Sequence, residues 1–170
     1  NMTMGLNEIT ALEVVNNLSE KDLKLVIKIL GDEKEASKIA KNIVKFRKIK
    51  KIISTSDLVK IIERSKRKNY LSKINPCTKT FQALRIFVNK ETTELIKGII
   101  SATKRLKPGG KILVISFHSL EDRIVKHTFR DFDKKKQVKL LQRKPFIPTD
   151  DEIKVNPRSR SAKLRVVTKL

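Results

Sequence analysis

His118, Glu121 and Asp122 stand within five residues of one another. An imidazole beside carboxylates is a grouping that can move protons. The group directly follows the apolar run 112–117, so if that run is a strand, it lies at the strand's carboxyl end. In open α/β sheets ligands gather just beyond those ends. His118 reads as a base, with Glu121 or Asp122 as its partner. Ser119 with Asp122 three positions on also reads as a helix N-cap with an acidic first turn. The stretch therefore divides into capping residues, Ser119 and Asp122, and site candidates, His118 and Glu121.

A second group is cationic. "NPRSRSAKLR" sets Arg158, Arg160, Lys163 and Arg165 around a turn and the start of a strand. Guanidinium forks match phosphate oxygens two at a time, and phosphate contacts dominate nucleic-acid affinity; a merely solvated basic edge is the alternative. A third group lies in "TKTFQALRIFVN". At 100° per residue, Thr78, Gln82, Arg85 and Asn89 share one stripe of a helix that is otherwise apolar. Such a stripe faces either solvent or a polar cleft, where Gln82 and Arg85 could meet a base edge or a phosphate.

The elements that would carry these groups can be read from caps and periodicity. From residue 10 to about 72 the pattern is helical. Thr10 and Glu13 form a capping box, Ser19 precedes a helix closed by Gly31, a third helix spans about 33–48, and "STSD" caps a fourth. A connector through Pro76 leads to helices at about 80–89 and 91–106. "KPGG" then turns the chain into the apolar run. A helix follows, then a strand at "VKLLQRK", a short helix capped by Thr149, and a last strand at "KLRVVTK". Run 112–117 lacks the alternation of a half-wet strand, so it is expected to be covered on both faces. Three strands cannot enclose such a ribbon, and the missing ones are expected before Asn1.

The chain has 170 residues, 39% of them hydrophobic, with 40 basic against 18 acidic side chains and a net charge of +22. A core is affordable, and the surface must attract polyanions, nucleic acid first and an acidic membrane second. Cys77 has no disulfide partner, and with His118 and His127 it assembles no metal-ligand set. No run approaches the roughly 18 apolar residues of a membrane span.

"LKPGGKILVISFHSLEDRIVK", "TKTFQALRIFVN" and "NPRSRSAKLR", in that company and with the opening "NMTMG", closely resemble the bacterial 16S ribosomal RNA cytosine-N4 methyltransferase family. The resemblance covers essentially the whole chain. Asn1 and Thr3 stand where the family has an acid and an arginine, and Cys77 where it has a small alanine. What the resemblance implies is an α/β fold: the last strands of an incomplete Rossmann-like class I methyltransferase sheet, with a small all-α insertion. The domain reading is 1–9 for the end of a catalytic segment, 10–75 for a helical insertion that recognises RNA, and 76–170 for the C-terminal part of the catalytic domain. S-adenosylmethionine would be held upstream of this chain, because Gly5, Gly31, Gly98, Gly109 and Gly110 form no glycine-rich phosphate turn. The implied substrate is 16S ribosomal RNA in the small subunit, the setting cytoplasmic, and a homodimer of the full-length protein stays open. A noncatalytic RNA-binding module and a split enzyme are the alternatives.

Overall fold

The computed structural model describes residues 9–66 and 75–170. The opening segment with Asn1 and Thr3 lies outside the described residues, as do Arg67 and Lys68, the last two cations of a basic run that also comprises Lys45, Arg47, Lys48, Lys50, Lys51, Arg64 and Lys66. The chain divides into two compact units, Asn1–Glu91 and Thr92–Leu170. Helix 78–88, read from sequence as opening the C-terminal part, falls in the first of these.

The first unit is helical: α1 (Ala11–Asn17), α2 (Glu20–Gly31), α3 (Ala36–Ile49), α4 (Thr55–Ser65) and α5 (Thr78–Val88). Its starts are written in the sequence. Thr10 accepts from the Glu13 amide while Glu13 accepts from that of Thr10, and Ser54 with Asp57 repeats the box. Leu23, Ile27, Ile39, Ile43, Ile62 and Leu84 are fully buried at helical spacing, and each such side chain contributes about 1.5–3 kcal/mol. Helix α2 packs on α3 and α5. Gly31 makes the latter approach possible, since a Cβ there would stand 2.4 Å from the Lys79 carbonyl oxygen. The left-handed residue ending α2 is Asp32, not Gly31. Asn16 pairs its amide with both the N–H and the C=O of Ile52, standing in for a strand neighbour.

The second unit follows α6 (Glu91–Arg105) with β1 (Lys111–Ser116), α7 (Ser119–Lys134), β2 (Val138–Leu140), α8 (Asp150–Val155), a 3-10 turn at Pro157–Ser161, and β3 (Lys163–Lys169). Strand order is β1-β3-β2, with β3 antiparallel to both neighbours. Strands β1 and β2 are therefore parallel to one another, and α7 is the crossover between them. Gly109, at φ +80°, makes the turn into β1. One face of the sheet is closed by α6 and α7: Ile99, Val125, Phe129, Val138 and Val167 are buried, with Ile112 and Val114 packed against them.

The other face of β1 is open among the described residues. Leu113, Ile115 and Phe117 are 60%, 59% and 56% exposed, and β1 pairs only with β3. The expectation of cover on both faces is thus met on one face only, because all the helix packing falls on the α7 side. The strand read at "VKLLQRK" shrinks to three residues, Asp133 Oδ1 taking the Leu140 amide at 3.2 Å. No helix of the described residues is long and apolar enough to cross a membrane.

Candidate functional site

Antiparallel pairing places Ser116 opposite Lys163, residues 47 apart in sequence. The pairing carries "NPRSRSAKLR" to the carboxyl end of β1, beside "SFHSLED". Two motifs that are separate in sequence so become one end of a sheet. The 3-10 turn has Pro157 in its first position, and it buries Ser159 while leaving Arg158 and Arg160 exposed. Ser159 Oγ donates to the Asn156 carbonyl at 2.8 Å and fixes the turn. Lys163 reaches Asp122 loosely, at 3.5 Å, and stays 42% exposed.

Arg165 is placed differently. Its side chain is 8% exposed and that of Asp122 13%. Nε donates to Asp122 Oδ1 at 2.7 Å, Nη2 to Oδ2 at 3.3 Å, and Nη1 to the Arg143 carbonyl at 3.2 Å. Its donors face inward, so the phosphate reading holds open Arg158, Arg160 and Lys163 rather than all four.

The division of "HSLED" also comes out reversed. The N-cap of α7 is His118, whose Nδ1 accepts from the Glu121 amide at 3.3 Å, and Glu121 Oε2 accepts from the Phe117 amide at 2.9 Å. The two site candidates form the capping pair. Ser119 is the first helical residue, and Asp122 is the anchor for Arg165. The sequence signal was present, since a glutamate three positions after a possible cap marks a box, but serine's greater propensity moved the reading by one residue. His118 Nε2 is buried and stands 3.2 Å from Glu121 Oε1, off the direction of a well-formed hydrogen bond. Because Nδ1 accepts from the backbone, its lone pair is engaged there and not offered to a substrate proton. Burial works to raise the Glu121 pKa, yet the His118 side chain and the Phe117 N–H outweigh it and lower the carboxyl below its ordinary value.

A capping histidine makes a clear prediction. His118→Ala costs the second unit about 1 kcal/mol in urea denaturation, while His118→Asn, a strong capping type, costs only a few tenths. Equal losses for both variants would remove the capping assignment.

In the helical unit, Thr78 and Arg85 are exposed, Gln82 is half-buried and Asn89 is buried. The stripe is thus graded, wet at Thr78 and enclosed at Asn89. Arg85 forms a two-pronged pair with Glu91, Nε to Oε1 at 2.8 Å and Nη2 to Oε2 at 3.0 Å. Two cations of the basic run are internal struts. Arg47 donates to the Val15 and Leu18 carbonyls at the end of α1, and Lys66 donates to buried Glu33 and to the Pro76 carbonyl. Lys45, Lys48, Lys50 and Lys51 are exposed.

A sequence model described as the MraW methylase family matches residues 1–170. Among curated relatives, a protein named ribosomal RNA small subunit methyltransferase H from Sulfurihydrogenibium sp. (strain YO3AOP1) is 50% identical over 160 residues, covering 94% of this chain and 55% of the relative. Proteins of the same name from Ehrlichia canis (strain Jake) and Clostridioides difficile (strain 630) are 47% and 42% identical, each covering 96% of this chain and 58% of its own length. The chain thus spans little more than half the length of the relatives it matches.

Proposed function

Because the chain belongs to the MraW methylase family, we propose that its 170 residues form the C-terminal part of an S-adenosylmethionine-dependent enzyme that methylates the N4 amine of a cytosine in small-subunit ribosomal RNA. The observation that carries this reading is the junction of exposed Arg158 and Arg160 with the carboxyl end of β1. Phosphate-binding forks stand there beside the place where an α/β sheet presents its ligands.

The described glycines do not fit the nucleoside cofactor. Gly109 makes a turn into a strand, Gly110 is filled in by Leu106, Gly31 is pressed on Lys79, and Gly98 lies within α6. None opens a helix as a phosphate cradle does. We therefore assign cofactor binding to residues outside these 170. The strands that carry it would lie along the free edge of β1 and bring cover to Leu113 and Ile115, completing a Rossmann-like sheet.

Within this reading, Arg158, Arg160 and Lys163 hold the backbone on either side of the target nucleotide. The base must leave its stack for its amine to be reached. Transfer to an exocyclic amine gains most from alignment of donor and acceptor, and the amine proton becomes acidic once nitrogen carries the methyl group. No strong base is needed. His118 and Glu121 then serve by fixing the 116–119 turn rather than by taking a proton. The helical unit adds RNA contacts through Lys45, Lys48, Lys50 and Lys51 and through Thr78, Gln82 and Arg85 of the stripe, whose buried Asn89 donates to the Arg85 carbonyl instead. Arg85 would reach a phosphate only by leaving Glu91. Ribosomal RNA as substrate makes the setting cytoplasmic.

Calorimetric titration of S-adenosylmethionine into the chain alone tests the assignment. The expected result is no saturable heat, together with retained binding of ribosomal RNA fragments. Saturable cofactor binding with methyl transfer would overturn the division of labour, and absence of any RNA binding would overturn the substrate.

A further inference from the structure

The end of the second unit opposite His118 and Arg158 carries a cationic surface that the proposed reaction does not use. There α6 finishes, β1 begins, α7 finishes, β2 begins and β3 ends. The Gly109 amide donates to the Lys169 carbonyl at 2.9 Å, and the Leu170 amide to the Gln137 carbonyl at 3.3 Å, which closes these segments on one another. Between them is a cavity of about 250 Å³. Ile100 and half-buried Phe132 give it an apolar lining, and Lys104, Lys135 and Lys169 supply the charge. None of the three lysines has a carboxylate within 4.0 Å among the described residues. The positive field continues outward through Arg105 and Lys107 on one side and Lys136 and Lys139 on the other.

Complementing the carbonyl ends of α6 and α7 accounts for Lys104 and Lys134. It does not account for Lys169 on a strand, nor for Lys136 and Lys139 beyond the helix end. An aromatic wall among unpaired cations has the composition of a single-strand nucleic-acid site, where bases stack and lysines follow the phosphates. The hollow lies below the usual volume range of small-molecule pockets, about 300–1,000 Å³, and is of a size for one base. An acidic membrane is the poorer fit, since insertion needs a protruding apolar face, whereas here the apolar groups line a concavity.

We propose that this end of the unit binds single-stranded RNA, stacking one unpaired base on Phe132 with the Gln137 amide at its edge and the flanking phosphates on Lys104, Lys135 and Lys169. The proposal rests on RNA being the substrate and adds a second contact, remote from the end of the sheet where the reaction is placed.

The test is fluorescence anisotropy of the whole chain with a single-stranded oligoribonucleotide of about ten nucleotides across a salt series. The triple variant Lys104→Gln, Lys135→Gln, Lys169→Gln is compared with a control of equal charge loss, Lys24→Gln, Lys28→Gln, Lys38→Gln, on exposed positions of α2 and α3. Three lost phosphate contacts lower the log–log salt slope by about 2, and affinity falls at least ten-fold, while the control changes both far less. Phe132→Leu, which keeps the packing, and Gln137→Ala each weaken binding several-fold without altering the salt slope. Equal losses for the triple and its control would overturn the site, as would capture of anionic phospholipid vesicles by this surface with RNA binding untouched by the triple. Failure of the unmodified chain to bind RNA at all would instead count against the substrate reading on which the proposal stands.

Discussion

Arg165→Ala lowers the stability of the unit Thr92–Leu170 by roughly 3–5 kcal/mol, and Asp122→Ala does nearly as much. Removing one partner of a buried pair leaves the other charge without compensation, and this loss is the usual magnitude. Both side chains are largely withdrawn from water, at 8% and 13% exposure, and the contact is two-pronged. Replacing both partners with apolar residues of similar volume recovers most of the loss, since the pair must offset its own desolvation. Arg165→Lys recovers little, because an ammonium cannot span both carboxylate oxygens and the Arg143 carbonyl. Urea denaturation followed at the second unit reads all four variants. A single alanine loss under 1 kcal/mol would show that the pair is not the clamp the geometry describes.

The same contact sets a pH dependence. Burial raises the Asp122 pKa, but the hydrogen bond and charge of Arg165, helped by Lys163, outweigh it and hold the carboxyl below its ordinary value. A carboxyl depressed on folding stabilises the folded state above its unfolded pKa, about 3.9. That contribution fades as pH falls through the folded value. Acidification below about pH 5 therefore weakens the unit, and Asp122→Asn removes this part of the slope at the expense of stability near neutrality. The clamp also has a functional side. It ties the first turn of α7, with His118 and Glu121, to β3 directly beyond the Arg158–Arg160 turn, so its loss loosens both halves of the candidate site together.

The helical unit was legible because its information is local. Thr10 with Glu13, and Ser54 with Asp57, announce starts within four residues, and the 3.6-residue spacing of Leu23, Val26 and Ile27 marks the covered face. The long helix after β1 and the final strand were legible for the same reason. Arg165 was not. Its partner lies 43 positions away, and a cation beside two other arginines looks like its neighbours until pairing fixes which side of β3 it occupies. The one clue was its place among the apolar residues of "KLRVVTK". The stretch 157–161 was legible as a turn, but proline and serines suit several turn forms and do not announce the 3-10 winding that sets alternate residues, Arg158 and Arg160, toward water. Run 112–117 was recognised as a strand from composition, yet composition cannot say what covers it.

That last point has the second large consequence. The expected result is that the chain by itself self-associates through β1. A strand with an edge unpaired among the described residues and a row of exposed apolar side chains is a template for further strands, and Leu113, Ile115 and Phe117 lie on its uncovered face with one charge, Lys111 at the strand's start, and no proline to blunt it. Leu113→Lys with Ile115→Lys should convert concentration-dependent association in light scattering to a monodisperse chain. Both positions already face water in this unit, so the double variant changes its stability by no more than the about 0.5 kcal/mol usual per surface site. A melt shifted by several kcal/mol would mean instead that these side chains are part of the core of this unit. The size of that shift separates a strand waiting for neighbours from a strand already enclosed. The proposed completion of the sheet requires the first.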